Sequence, residues 1–167
     1  MSYVMNFAQM IEDSAVGVAI AESRYAFPII EGIHLIALSV SVGLIFLTDL
    51  RLVGLYLKHI PAADVHRQLR PFVVGGFAVV FLSGGLLFWA EAATVMQSPP
   101  WPFKFLFIFL AGLNALYFEY VIVKRPEGRG VFGFIPRSVK YAGLASMGLW
   151  TLAIICGRLV AYIPKWP

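Results

Sequence analysis

The chain has 167 residues, of which 60% are hydrophobic and only 13% are charged. Soluble domains carry about a quarter charged residues, so this composition excludes an ordinary soluble domain and indicates the lipid bilayer as the partner. The 13 Lys and Arg residues outnumber the 9 Asp and Glu residues, but they lie between apolar segments. This distribution argues against a nucleic-acid partner, which would favour one basic stripe.

Four apolar segments long enough to cross a bilayer follow one another along the chain. We predict an all-α fold in which residues 1–167 form one integral membrane domain, a bundle of four transmembrane helices. An N-terminal interfacial amphipathic helix is predicted over residues 1–25, where apolar side chains mix with Glu12, Asp13 and Glu22. The crossings are predicted at about residues 27–50, 72–93, 101–123 and 141–162.

The second predicted crossing contains no charged residue between Phe72 and Ala90, and its glycines would let a neighbouring backbone approach closely. We therefore expect it to be the most buried of the four helices. The preceding segment, Lys58 to Arg70, contains Pro61 and two histidines. It is predicted to be a polar loop with at most one helical turn, in which His59 and His66 are solvated.

The distribution of basic residues predicts the orientation in the membrane. Most of them lie in the connections between crossings one and two and between crossings three and four: Arg51, Lys58, Arg67, Arg70, Lys124, Arg125, Arg129, Arg137 and Lys140. Because basic loops are retained in the cytoplasm, both termini are predicted to lie on the other side of the membrane.

Ionisable side chains at membrane depth are candidates for function, since a charge inside a bilayer is costly unless it is paired. Glu31 and His34 are three residues apart on the first crossing, a spacing found in carboxylate–histidine metal sites of helical bundles. Glu91, Lys104 and Arg158 are predicted at the same depth. An equally weighted alternative is that Glu31 only neutralises an interior histidine. For Glu91, Lys104 and Arg158, pairing at the membrane interface is favoured over a role in such a site.

We predict a metal site formed by His34, Glu31 and Glu91, or a cofactor site formed by His34, Glu31, Lys104 and Arg158. The cofactor is either haem b or a transition metal. In either case His34 is the ligand, and the two cations neutralise propionates or an anionic substrate.

The remaining polar residues are interpreted as structural. Glu119 is expected to pair with Arg51 or Lys124 rather than to relay protons. Asp49 and Arg51 are expected to anchor the end of a helix, and Asn114 is expected to hydrogen-bond across helices.

The separation of the histidines along the chain limits how haem could be held. His34 and His59 are 25 residues apart, or about 37 Å along a helix. They cannot ligate one iron within a subunit, so haem would require His34 alone, His34 with another type of ligand, or a two-fold dimer.

Several motifs support a family resemblance. They are Pro28, Glu31, His34 and Leu35, then Asp49–Leu55, Gly84–Phe88, Lys104 and Gly112–Ala115. Through these motifs the chain resembles a family of small four-helix bacterial inner-membrane proteins known only as a domain of unknown function. The resemblance extends over nearly its whole length. The resemblance implies an inner-membrane location with periplasmic termini. That family often has a histidine where this chain has Glu119, and this departure removes a possible second imidazole.

More distantly, the layout is similar to small membrane protoporphyrinogen oxidases and copper-resistance membrane proteins, which use a first-helix histidine and a third-helix lysine. This likeness favours haem, porphyrin or metal, but it assigns no reaction, and whether the chain is an enzyme stays open.

Three functions are therefore compatible with these residues. The first is a membrane redox or cofactor-binding subunit with a haem b or metal site on Glu31 and His34, suited to electron transfer. The second is a small proton-coupled transporter or channel. The third is a non-catalytic scaffold, and the packing residues favour a homo-oligomer or a subunit of a membrane complex.

Overall fold

The computed structural model describes residues 2–122 and 136–163. Two short helices, α1 (Ser2–Glu12) and α2 (Ala15–Ala21), precede four long ones: α3 (Ala26–Val53), α4 (Ala62–Met96), α5 (Pro100–Tyr117) and α6 (Arg137–Leu159). A π-helical segment, Phe118–Ile122, continues α5. Within the described ranges there is no strand, so the predicted all-α bundle of four long helices is confirmed. The N-terminal segment, predicted as one helix over residues 1–25, forms two short helices.

The four long helices are long and apolar enough to cross a membrane. Their outer faces carry large apolar side chains such as Phe72, Leu82 and Phe109, which are 68%, 72% and 63% exposed. Exposed apolar surface on this scale is unfavourable in water and is expected in lipid. The chain is therefore a multi-pass membrane protein.

Successive long helices run in opposite directions. α3 packs against α4 and α6, α5 packs against α6, and α4 makes few contacts with α5. At one end of the bundle α1 and α2 rest on α4, and the Ser98 hydroxyl donates to the Val160 carbonyl (3.3 Å). We call this the terminal end; at the opposite end, Leu52, Ala62 and Val139 pack beside Phe118.

Small residues set the contact between α3 and α4. A Cβ atom at Gly76 would overlap the hydroxyl of Ser41, which is fully buried, whereas a Cβ at Gly75 or Gly85 would meet nothing within 4 Å. The glycine content predicted that α4 would be the most buried crossing. This prediction was wrong, because Gly75 and Gly85 do not contact another helix. Among the four spans, α6 has the largest buried share.

Helix boundaries differ from the sequence prediction at the opposite end. α3 ends at Val53, where Gly54 adopts φ 87° and donates its N–H to the carbonyls of Leu50 and Arg51. α4 begins at Ala62, so the prediction of a polar loop continuing to Arg70 was wrong. The predicted second basic loop, including Lys124, Arg125 and Arg129, lies mostly outside the described residues.

The N-terminal segment forms two helices that are docked on the terminal end of α4. α4 is interrupted at Glu91, which has non-helical dihedral angles (φ −137°, ψ 30°). The Glu12 carboxylate accepts from the backbone N–H groups of Ala93 (2.8 Å) and Thr94 (3.3 Å), just after this interruption. Glu12 therefore supplies, from a distant part of the chain, the cap that a helix start requires.

Candidate functional site

His34 lies on α3, half-buried, with its imidazole turned toward α4. Its Nδ1 is 3.0 Å from the Ser83 hydroxyl oxygen, and the Val80 carbonyl lies beside the ring. The Ser83 hydroxyl donates its single hydrogen to the Val79 carbonyl (2.6 Å). With Nδ1 protonated, the ring donates to the Ser83 oxygen and keeps its lone pair on Nε2.

A glycine allows this placement of the ring. A Cβ atom at Gly84 would lie 3.0 Å from Cε1 of His34 and 3.4 Å from Nδ1. A larger residue at this position would require the imidazole to shift by a few tenths of an ångström. The Ser83–Gly84 pair on α4 therefore fixes both the hydrogen bonding and the position of His34.

Lys104 on α5 reaches the same region. Its charge, like that of Glu31, acts on the His34 ring, and its Nζ lies 5.4 Å from the centre of the Trp101 ring. A Cβ atom at Gly157 on α6 would contact the Lys104 stem at 3.6 Å, so glycine leaves room for that stem. α3, α4 and α5 thus contribute polar side chains to one region near the terminal end, and α6 leaves room there for the Lys104 side chain.

The other predicted site residues lie at the edge of this region. Glu31 and Glu91 are exposed. Arg158 is also exposed, and its guanidinium contacts Tyr162 just beyond the end of α6, with 3.4 Å between Nη2 and the phenol oxygen. In the part of the chain that the structure describes, no three His, Cys, Asp or Glu side chains are grouped closely enough to hold a metal ion. The arrangement provides one imidazole and one ammonium group rather than a carboxylate-rich cage.

A second polar cluster, which the sequence did not predict, lies at the opposite end. His66 on α4 places Nε2 2.9 Å from the Glu119 carboxylate, and Arg70 is 3.2 Å from the other carboxylate oxygen. His66 is therefore not solvated in a loop, as had been expected. Glu119 pairs with these two residues rather than with Arg51, whose Nε donates to the Ile60 carbonyl (2.6 Å). Because His66 and Arg70 are four residues apart, a helical reading of this segment would have placed them on one face.

The two clusters cannot share one ligand. Ser83 contacts His34, and His66 is 17 residues before Ser83 on α4, a separation of about 25 Å along the helix. His59 lies exposed in the connection between α3 and α4. His34 is thus the single histidine that the described chain places near the terminal end.

Comparison with known proteins gives a family and no individual relative. No curated protein and no solved structure matches the chain. A family of unknown function, DUF6644, matches residues 13–163, which include both polar clusters. With most of its length matched, the chain belongs to the DUF6644 family.

Proposed function

We propose that this protein is a membrane redox or cofactor-binding subunit that holds haem b through Nε2 of His34. The observation that supports the proposal is the Ser83 hydrogen bond, which orients the imidazole and leaves Nε2 available as a ligand. Imidazoles that bind a metal generally donate their other N–H to such a partner.

The donor set fits a cofactor better than a bare ion. One imidazole suffices as a protein ligand to haem iron, whereas a bare transition metal usually needs three or four protein ligands. Lys104 would bind an anionic group such as a propionate, because a cation near an anion in a low-dielectric site forms a strong charge-assisted contact. Glu31 and Arg158 would lie at the rim. Haem, when bound, supplies one-electron chemistry, and these side chains bind and orient it.

We also propose the membrane in which the protein lies and its orientation there. Four of the 13 basic residues occur from Arg51 to Arg70 and five from Lys124 to Lys140, all at the opposite end of the bundle or in the connection there. By the positive-inside rule, that end faces the cytoplasm and the terminal end faces the periplasm of a bacterial inner membrane. The His34 site would then exchange electrons on the periplasmic side.

A second copy of the chain is part of the same proposal if the iron has two imidazole ligands. Each protomer offers one histidine at this level, so two-fold symmetry would supply the other. Iron with a single His34 ligand needs no partner copy. The ratio of haem to protein in a purified sample distinguishes the two arrangements, being one half in the first and one in the second.

The test is an optical spectrum of detergent-purified protein, oxidised and then reduced with dithionite. We expect haem absorbance in the wild type, its loss in His34→Ala, and its retention in His59→Ala, a matched control at an exposed histidine. Ser83→Ala keeps the ligand but frees the ring, so haem should bind more weakly. A wild-type sample without haem absorbance overturns the haem assignment, and bound metal by elemental analysis would then point to a metal site.

The transport hypothesis receives less support from the geometry. Asn114 donates to the Ala142 carbonyl (3.0 Å) and so joins α5 to α6, and Glu119 is paired with His66 and Arg70. Both groups therefore have structural partners and lie far from His34. A featureless spectrum together with proton flux in liposomes would favour transport over the haem proposal.

A further inference from the structure

Asp49 is the one acidic residue of the described bundle that is buried. It lies on α3 near the opposite end, where it is expected to anchor the end of the helix, and its side chain is only 5% exposed. Its Oδ2 is buried and has no hydrogen-bond partner among the described residues. The hydroxyl of Ser146 on α6 lies beside the carboxyl group.

Close packing of α6 encloses this carboxyl group. A Cβ atom at Gly143 would lie 3.2 Å from the Asp49 carbonyl oxygen and 3.3 Å from the Leu52 side chain. Glycine at that position brings the α6 backbone against α3, and Ser146 follows one turn later. The site is thus a built part of the α3–α6 interface and not a surface position.

The charged groups around this end of α3 are engaged elsewhere or exposed. Arg51 donates through Nε to the Ile60 carbonyl, and Glu119 on the π segment is held by two residues of α4. On α6, Lys140 and Tyr141 are exposed. No described cation makes an ion pair with Asp49, and the α3 carbonyls one turn further on carry partial negative charge.

We propose that Asp49 is a proton-binding site, with its carboxyl group held as a neutral acid at neutral pH. The proton is carried on Oδ2, the oxygen that lacks a partner, while Oδ1 keeps the contact with Ser146. A charged carboxylate with one buried, unpaired oxygen is far less favourable than a neutral hydroxyl in the same place. Release of the proton breaks the Oδ2–H bond and delivers H⁺ to water, leaving the carboxylate.

This site is independent of the proposed haem site. His34 is 15 residues before Asp49 on α3, or about 22 Å along the helix, so loss of one does not entail loss of the other. Asp49 therefore gives the bundle a titratable group near the end opposite to His34.

The test is infrared spectroscopy of the full chain in liposomes, with aspartate labelled with ¹³C at the side-chain carboxyl. The chain has three aspartates; Asp13 is exposed, and Asp64 pairs with exposed Arg67. We expect a carboxylic-acid C=O band at neutral pH that shifts on labelling, shifts again in D₂O, and weakens as the pH is raised. Asp49→Asn should remove the band, and the control Asp64→Asn should keep it.

Two results would overturn the proposal. One is the absence of an acid band at neutral pH, which would mean that Asp49 is ionised and balanced by a bound cation. The other is an acid band that ignores the aspartate label, which would assign it to a glutamate. Because the labelling uses wild-type protein, the answer does not depend on whether Asp49→Asn folds.

Discussion

The cap that Glu12 places on α4 can be tested by removing its carboxylate. Glu12→Ala leaves the N–H groups of Ala93 and Thr94 without their acceptor, immediately after the interruption at Glu91. A hydrogen bond to a charged group contributes about 1.5–3 kcal/mol. At about 1.4 kcal/mol for each factor of ten, these two amides should exchange their hydrogens about 10- to 100-fold faster.

The assay is hydrogen–deuterium exchange followed by mass spectrometry on detergent-solubilised protein. Glu12→Gln keeps an oxygen acceptor but loses the charge, so its exchange rate should lie between wild type and Glu12→Ala. Glu22→Ala is the matched control, because Glu22 is exposed on the same segment and its side chain makes no hydrogen bond or ion pair in the described structure. Unchanged exchange at residues 93 and 94 in Glu12→Ala would refute the capping role.

Two further predictions concern the polar clusters. Gly84→Ala should destabilise the protein by about 1–3 kcal/mol because the new methyl group displaces the His34 ring, whereas Gly85→Ala should be neutral or stabilise by up to about 1 kcal/mol through helix propensity. Unfolding by SDS titration measures both, and equal effects would show that the ring does not rest on position 84. His66→Ala and Glu119→Ala, alone and combined, should show a coupling of about 1 kcal/mol in the same assay, and strict additivity would contradict the pairing.

The sequence predicts the number of crossings well because hydrophobic length alone decides whether a helix can span a bilayer. It predicts the start of α4 poorly, since a polar helical extension beyond the membrane has the same composition as a loop. His66 lies in that extension. His66 is predicted to be solvated because nothing in the local sequence distinguishes a helix face that packs against the π-helical segment after α5 from a face that contacts water.

For a similar reason, the sequence could not predict which of the candidate site residues face one another. Glu31 and His34 lie about 60° apart around the helix axis, so the spacing permits one to face the bundle while the other faces outward. The rotation of α3 is set by contacts such as Gly84 against the imidazole, which belong to another helix. Burial of Asp49 likewise depends on Gly143 of α6, which is 94 residues later in the chain.

The contact between Glu12 and α4 joins residues that are 81 positions apart in the chain. α1 and α2 are synthesised before α4, yet the two N–H groups that Glu12 caps are in place only when the chain has crossed the membrane twice, through α3 and then α4. The contact therefore forms after both crossings, so docking of α1 and α2 reports that α4 has been inserted.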